Sequence, residues 1–362
     1  MGPPWPGTTA PGPYPQQPPG SWPQPGPPHG MPPGNRRWLL LALAFLAVIA
    51  VSVAATVWFT QRGSGSQGGS GAGGSQVSAD GEIASAGDTG PVGIITEDPT
   101  CERLLKMQNQ AASQLADWGN RDAAVPASEW TPEQRQMYDT AARILHAEAD
   151  QLIPLARDTP HRVMRELYEQ VIAYDRAYAN AIPNYSPSDD DLAVVRNGLG
   201  AAQMNICLAI DSYAATNRAP SVQTAAPPTT IAPVGDPGKP QRFLAAPSDA
   251  CPRLKASVHR QTLELEQWYK TDPNVQPSQR NATDKIVWNI AATVLDHSAG
   301  ELDEIARSSG NPAMEDFLVL AAQYFRAYVA AIPSYVPADE HLYEVAQKVD
   351  IGVLTACSAV QG

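Results

Sequence analysis

RAYANAIPNYSPSDDDL at residues 176–192 returns as RAYVAAIPSYVPADEHL at residues 326–342. Extended outward in both directions, the match needs no gap. Cys101 falls on Cys251, Cys207 falls on Cys357, and 29 of the 107 positions from cysteine to cysteine are identical. Leu104/Leu254, Leu115/Leu265, Trp118/Trp268, Leu145/Leu295, Leu152/Leu302 and Tyr174/Tyr324 are further matched pairs. The period is far too long for a solenoid unit, so the chain carries one domain twice, at 98–212 and 248–362.

Each copy reads as four helices, an all-α, four-helix-bundle-like domain. In the first copy, a helix runs from about Pro99, with Asp98 as its cap, to Trp118. Thr131-Pro132-Glu133-Gln134 opens the second with a capping box and a proline at the first helical position. Pro154 should kink or end that helix, whereas the second copy has Glu304 there. Thr159-Pro160 opens the third helix, and Pro183 closes it. Ser188 to Asp191 opens the fourth, with acids placed to suit the helix dipole. An up-down-up-down bundle brings the start of helix one beside the end of helix four, where the cysteines lie. The expected pairs are Cys101–Cys207 and Cys251–Cys357. Each would stabilise its domain by up to about 4.7 kcal/mol in the chain-entropy account. A zinc site is the other use of four cysteines, but no Cys-x-x-Cys pair occurs.

The remaining chain cannot pack a core of its own. Residues 1–35 hold 14 prolines and no Asp, Glu, Lys or Arg, a composition that favours disordered polyproline II. The tail, 1–37, reads either as a solvated spacer or as a docking strand for a proline-recognising partner in the cytoplasm. Residues 61–97 are Gly/Ser-rich and read as a flexible linker; 213–247 are rich in Ala, Pro and Thr and read as a stiffer one. Between tail and linker, Trp38 to Thr60 (WLLLALAFLAVIAVSVAATVWFT) carries no charge. It is long enough to cross a bilayer core of about 30 Å. Arg36 and Arg37 precede it and only Arg62 follows closely, which places the N-terminus inside the cell and both helical domains outside. A cleaved signal peptide would have a shorter apolar region, so the segment reads as a retained signal-anchor.

That order of parts resembles the proline-rich single-pass envelope proteins of actinobacteria, including mycobacteria: a Pro/Gly/Gln/Trp tail, Arg-Arg, one membrane helix, a small-residue linker and cysteine-paired domains. The resemblance covers the architecture and the style of residues 1–100. It implies that the domains lie in the cell envelope, and it transfers no catalytic residue.

Charge and motif content exclude several classes. Residues 100–212 hold 10 basic against 16 acidic residues, and 248–362 hold 9 against 15. Nucleic-acid binding needs a basic footprint, and neither domain has one. No phosphate loop or G-x-S-x-G is present. His146 with Asp150, and His297 with Glu301, are i,i+4 pairs that fall one residue out of register between the copies. They suit solvated helix faces better than a metal site. Asn184-Tyr185-Ser186 and Asn281-Ala282-Thr283 are glycosylation sequons only in a eukaryotic secretory host. Neither cofactor nor catalytic residue is expected.

The expected function is therefore a non-catalytic binding protein of the envelope, with a protein or cell-wall partner. A small-ligand or sensor pocket inside each bundle is the alternative. The Tyr/Arg-rich match has two readings. Its tyrosines either fill the bundle core, or they join Trp118, Trp130 and Tyr185, and Trp268 and Tyr335 in the second copy, as exposed anchors at the end away from the disulfides. Arg176 and Arg326 lie nearby in sequence, and aromatics with arginine are typical interface anchors. For the topology, protease added to intact spheroplasts should remove both helical domains and spare residues 1–37; protected domains would reverse the orientation.

Overall fold

A computed structural model describes residues 83–115 and 118–361. The proline-rich tail, the apolar segment 38–60 and the first part of the Gly/Ser-rich linker lie outside the described residues. The described residues form nine α-helices and no strand. The first copy contributes α1 (Cys101–Gln114), α2 (Pro132–Asp158), α3 (Arg162–Ala181) and α4 (Asp190–Asp211). The short α5 (Ala214–Arg218) starts the connector. The second copy contributes α6 (Ala250–Glu264), α7 (Ala282–Ser308), α8 (Pro312–Ala331) and α9 (Glu340–Ala359).

Local chemistry explains most boundaries. Thr131 makes the expected capping box with Gln134: its hydroxyl accepts from the Gln134 amide at 3.2 Å, and its own amide donates to Gln134 Oε1 at 2.9 Å. Pro154 does not end α2, which runs on to Asp158. Leu152, Leu155 and Ala156 around it are buried and hold the last turn. The first helix ends at Gln114 rather than Trp118, which opens a separate 3₁₀ turn. Asp98 accepts the Thr100 amide at 2.8 Å and the Thr159 hydroxyl at 2.5 Å, so it ties the start of α1 to the α2–α3 turn. Before α4, the Ser186 amide and hydroxyl both bond Asp189; in the second copy the Val336 amide bonds Asp339.

Both disulfides close as expected, with Cα atoms 5.2 Å apart for Cys101–Cys207 and 5.6 Å for Cys251–Cys357. Pro312–Ser334 is long and apolar enough to cross a membrane, yet its most apolar window is 72% buried within the protein. It is the core helix α8 with its following turn.

The two copies do not hang apart on a spacer. Their fourth helices, α4 and α9, make the broadest helix–helix contact among the described residues. They run antiparallel: Gly198 lies against Gly352, while Asn205, further along α4, meets His341, near the start of α9. A Cβ at Gly198 would stand 2.9 Å from the Gly352 amide nitrogen, and one at Gly352 would stand 2.7 Å from Leu199 Cδ2. Only glycine permits this approach.

The described parts of the segments read as linkers are also packed. Val92, Ile95 and Leu244 are buried, because extended chain bearing a few apolar side chains can cover a helix face. Each copy's leading arm crosses to the other copy's third helix. The Ile95 amide donates to Tyr324 Oη on α8 at 3.3 Å. Reciprocally, Phe243 packs between Tyr174 on α3 and Phe317 on α8, and its amide donates to Gln170 Oε1 at 2.8 Å. Arg162 locks the crossing. Its Nε donates to Asp316 Oδ2 at 2.6 Å, and its Nη1 donates to the carbonyls of Asp88 (2.8 Å) and Gly90 (3.1 Å).

Gly198→Val should lower unfolding stability by about 1–3 kcal/mol through overpacking. Gly300→Ala, where a Cβ meets nothing within 4 Å, should raise it by about 0.5–1 kcal/mol. Denaturant titration of both variants checks the close crossing.

Candidate interaction sites

Three places could hold a partner: the aromatic distal end of each copy, a groove between α1 and α2, and a cleft beneath the first arm. The sequence left the aromatic ends two readings, core filler or exposed anchor, and their burial favours the first. Tyr185 and Tyr335 are each only 1% exposed, and Trp130 and Trp268 are also buried. Trp118 is partly buried and packs against the same core. Trp130 stacks on Tyr138 with centroids 3.9 Å apart and on Tyr185 at 5.5 Å; Trp118 meets Tyr138 edge-on at 4.9 Å. The Tyr185 hydroxyl donates to the Ala123 carbonyl at 2.7 Å, and Trp130 Nε1 donates to that of Val125 at 2.9 Å. Their polar tips are satisfied by the local loop, so their rings are free to fill the bundle end.

Arg176 and Arg326 do not join these boxes. Arg176 donates to Asp150 and to the Gly238 carbonyl, and Arg326 donates to Asp303. Asp150 is therefore engaged by arginine. His297 and Glu301 are 3.9 Å apart, and Glu301 is also held by Ser257 and Arg260. Among the described residues no group of three His, Cys, Asp or Glu is placed to hold a metal ion.

The exchanges that distinguish the two ends escaped the sequence reading. Trp130 corresponds to Arg280, whose guanidinium lies 3.4 Å from the Trp288 ring centroid. Asp190 takes Arg121 at 2.7 Å, whereas its counterpart Glu340 accepts from two phenols. The fixed offset between the copies could have exposed these differences, because Trp130/Arg280 and Arg121/Thr271 each change charge at a matched position. Burial first, with Asp190 and Tyr138 nearby, pushes the Tyr185 phenol well above its usual range.

The groove of about 220 Å³ between α1 and α2 is lined by Met107, Ala111 and Ile144, with Gln110, Gln114 and Gln151 among its polar residues. In the second copy the Arg260–Glu301 pair and Ser257 occupy the corresponding positions. The arm cleft, about 210 Å³, lies between residues 91–95 and the start of α3. His161 bonds the Glu97 carbonyl there, and Arg162 is committed to its three partners.

These features define a class: an all-α, internally duplicated, disulfide-closed protein whose copies form a dimer within one chain. The chain belongs to the mycobacterial ESX-1 associated protein family, which matches residues 83–362. It is 40% identical over 355 residues to an uncharacterised protein of Mycolicibacterium smegmatis (strain MKD8), covering 96% of this chain and 91% of that one. No solved structure matches it.

Replacing Tyr185 or Tyr335 by serine should destabilise the protein by about 2–4 kcal/mol each, as removal of a packed aromatic does. Thermal melts of the two variants decide this; an unchanged melting temperature would return both rings to the surface.

Proposed function

We propose that this chain is a non-catalytic interaction component of the cell envelope that works with the ESX-1 secretion system. In this reading the segment 38–60 anchors it in the membrane, the tail 1–37 stays in the cytoplasm, and the paired helical domains meet a protein or wall partner outside. The observation that carries it is the family match, which spans both copies and the arms that join them. The acidic domains, the disulfides and the basic flank at Arg36-Arg37 are consistent with an exported, protein-facing module.

The small-ligand reading gains less support. The tyrosines that would line an internal pocket, Tyr174, Tyr178, Tyr324 and Tyr328, are packed at 0–1% exposure. The two depressions described above lie at the surface between elements. The test is deletion of the coding region in its own host, followed by measurement of ESX-1-dependent secretion and by crosslinking of the full-length, tagged chain in intact membranes. Impaired secretion with crosslinks to ESX-1 membrane components is the expected result. Normal secretion together with no such crosslinks would sink the proposal.

A further inference from the structure

The distal ends of the two copies occupy equivalent positions yet neutralise their acids differently. In the first copy, Asp190 opens α4 and receives Arg121 Nη2 at 2.7 Å, while the same guanidinium lies 4.5 Å from the Trp118 ring centroid. In the second copy, Glu340 opens α9, and Thr271 stands where Arg121 would. The Thr271 hydroxyl turns away to the Trp268 carbonyl, at 2.8 Å. Glu340 is held by the hydroxyls of Tyr328 on α8 and Tyr335 in the α8–α9 turn, each donating at 3.1 Å.

The surrounding charges are already matched with one another. Asp339, one residue before, is gripped by Arg218 of α5 at 3.0 and 2.8 Å. Glu344, one turn further on, is paired with Lys348 at 2.9 Å. Tyr343 on the same helix gives its hydroxyl to Tyr269, which follows α6. Arg280, ahead of α7, spends its guanidinium on the Trp288 ring and lies 5.2 Å from that of Tyr335, with Asp284 contributing to its field. Among the described residues no cation pairs with Glu340.

We propose that the distal end of the second copy is a pH-sensitive latch: it is closed while Glu340 carries a proton, and it loosens when that proton leaves. Ionised Glu340 would be a third carboxylate between Asp339 and Glu344, with no cation of its own. Arg218 also donates to the Ser334 hydroxyl and carbonyl, at 2.8 and 3.1 Å. The turn that Glu340 stabilises is therefore the one to which the connector is fastened. Its release frees Arg218 and uncovers Trp268 and Tyr335, aromatic surface of the kind that anchors protein partners.

Burial, followed by the neighbouring Glu344, pushes the Glu340 carboxyl up to about 7, against the opposing pull of the two phenols. A carboxyl raised in the closed form binds more protons there than when released. Its stabilising contribution is complete below the ordinary value of 4.5 and is lost as pH rises toward about 7.

Hydrogen-exchange protection factors of the full chain, measured from pH 5 to pH 8, test the latch. Residues 332–343 should lose protection by about tenfold per pH unit up to pH 7 and then level off, as release of one proton requires. The equivalent residues 182–193, closed by the Arg121–Asp190 pair, should stay flat and serve as the internal reference. Glu340→Gln and Thr271→Arg should each flatten the profile of 332–343, the first by removing the proton and the second by supplying the missing cation. A flat wild-type profile, a loss shared equally with 182–193, or persistence of the wild-type slope in a variant that matches wild type at pH 5 would overturn the proposal.

Discussion

The close crossing of α4 and α9 is the constraint on which the rest of the molecule depends. Two helix backbones approach so nearly at Gly198 and Gly352 that a single added carbon would strike backbone on one side and Leu199 on the other. Glycine in a helix interior costs about 0.5–1 kcal/mol relative to alanine, so its presence here is offset by the packing that it permits. Around the crossing, Leu199, Ala202, Ile206, Val345, Val349 and Val353 are buried. Once α4 and α9 are paired, α3 and α8 come close enough for an arm from each copy to reach across.

The arms turn that contact into a specific assembly. An apolar crossing tolerates sliding, whereas the buried Arg162–Asp316 pair does not. Removing one partner of such a pair generally costs about 3–5 kcal/mol, because the other charge is left unmatched. The pair is also asymmetric: Arg162 corresponds to Pro312, and Asp316 corresponds to Glu166. Glu166 is buried, and desolvation, followed by the field of Asp316, pushes its carboxyl well above the usual range. The arginine of this pair therefore has no counterpart in the other copy, although the acid does. The interface is two-fold in its helices and one-sided in its charge.

What the sequence revealed was local or repeated. The duplication, the disulfide partners and the capping box at Thr131 depend on spacing that can be read along the chain. The association of the copies depends on residues some 150 positions apart, and no periodicity records which helix face meets which. Composition misled at the arms. An Ala/Pro/Thr-rich stretch reads as a spacer, yet Phe243 and Leu244 suffice to pin it, together with Gln170 bonding on both sides. The aromatics misled in another way. Tryptophan and tyrosine suit interfaces and cores equally well, and only the bond from Tyr185 to the Ala123 carbonyl shows that its polar tip is satisfied from inside the fold.

Differences between the copies reach core and surface alike, Leu167/Phe317 and Ile172/Ala322 being among the buried ones. Matched core residues such as Leu104/Leu254 and Leu152/Leu302 keep their identity and their burial. At the α1–α2 surface, by contrast, the first copy presents Met107, Gln110 and Gln151, whereas the second presents Ser257, Arg260 and Glu301 bound to one another. At this groove the helix pair is therefore stitched by charge in one copy and left open in the other. Two identical bundles joined by a two-fold contact would offer a partner two equal surfaces. Charge exchanges at the groove and at the distal ends make the surfaces unequal while the crossing, the disulfides and the arms still hold both bundles in register. A partner that recognises one copy can thus be distinguished from a partner that recognises the other, although a single backbone design underlies both.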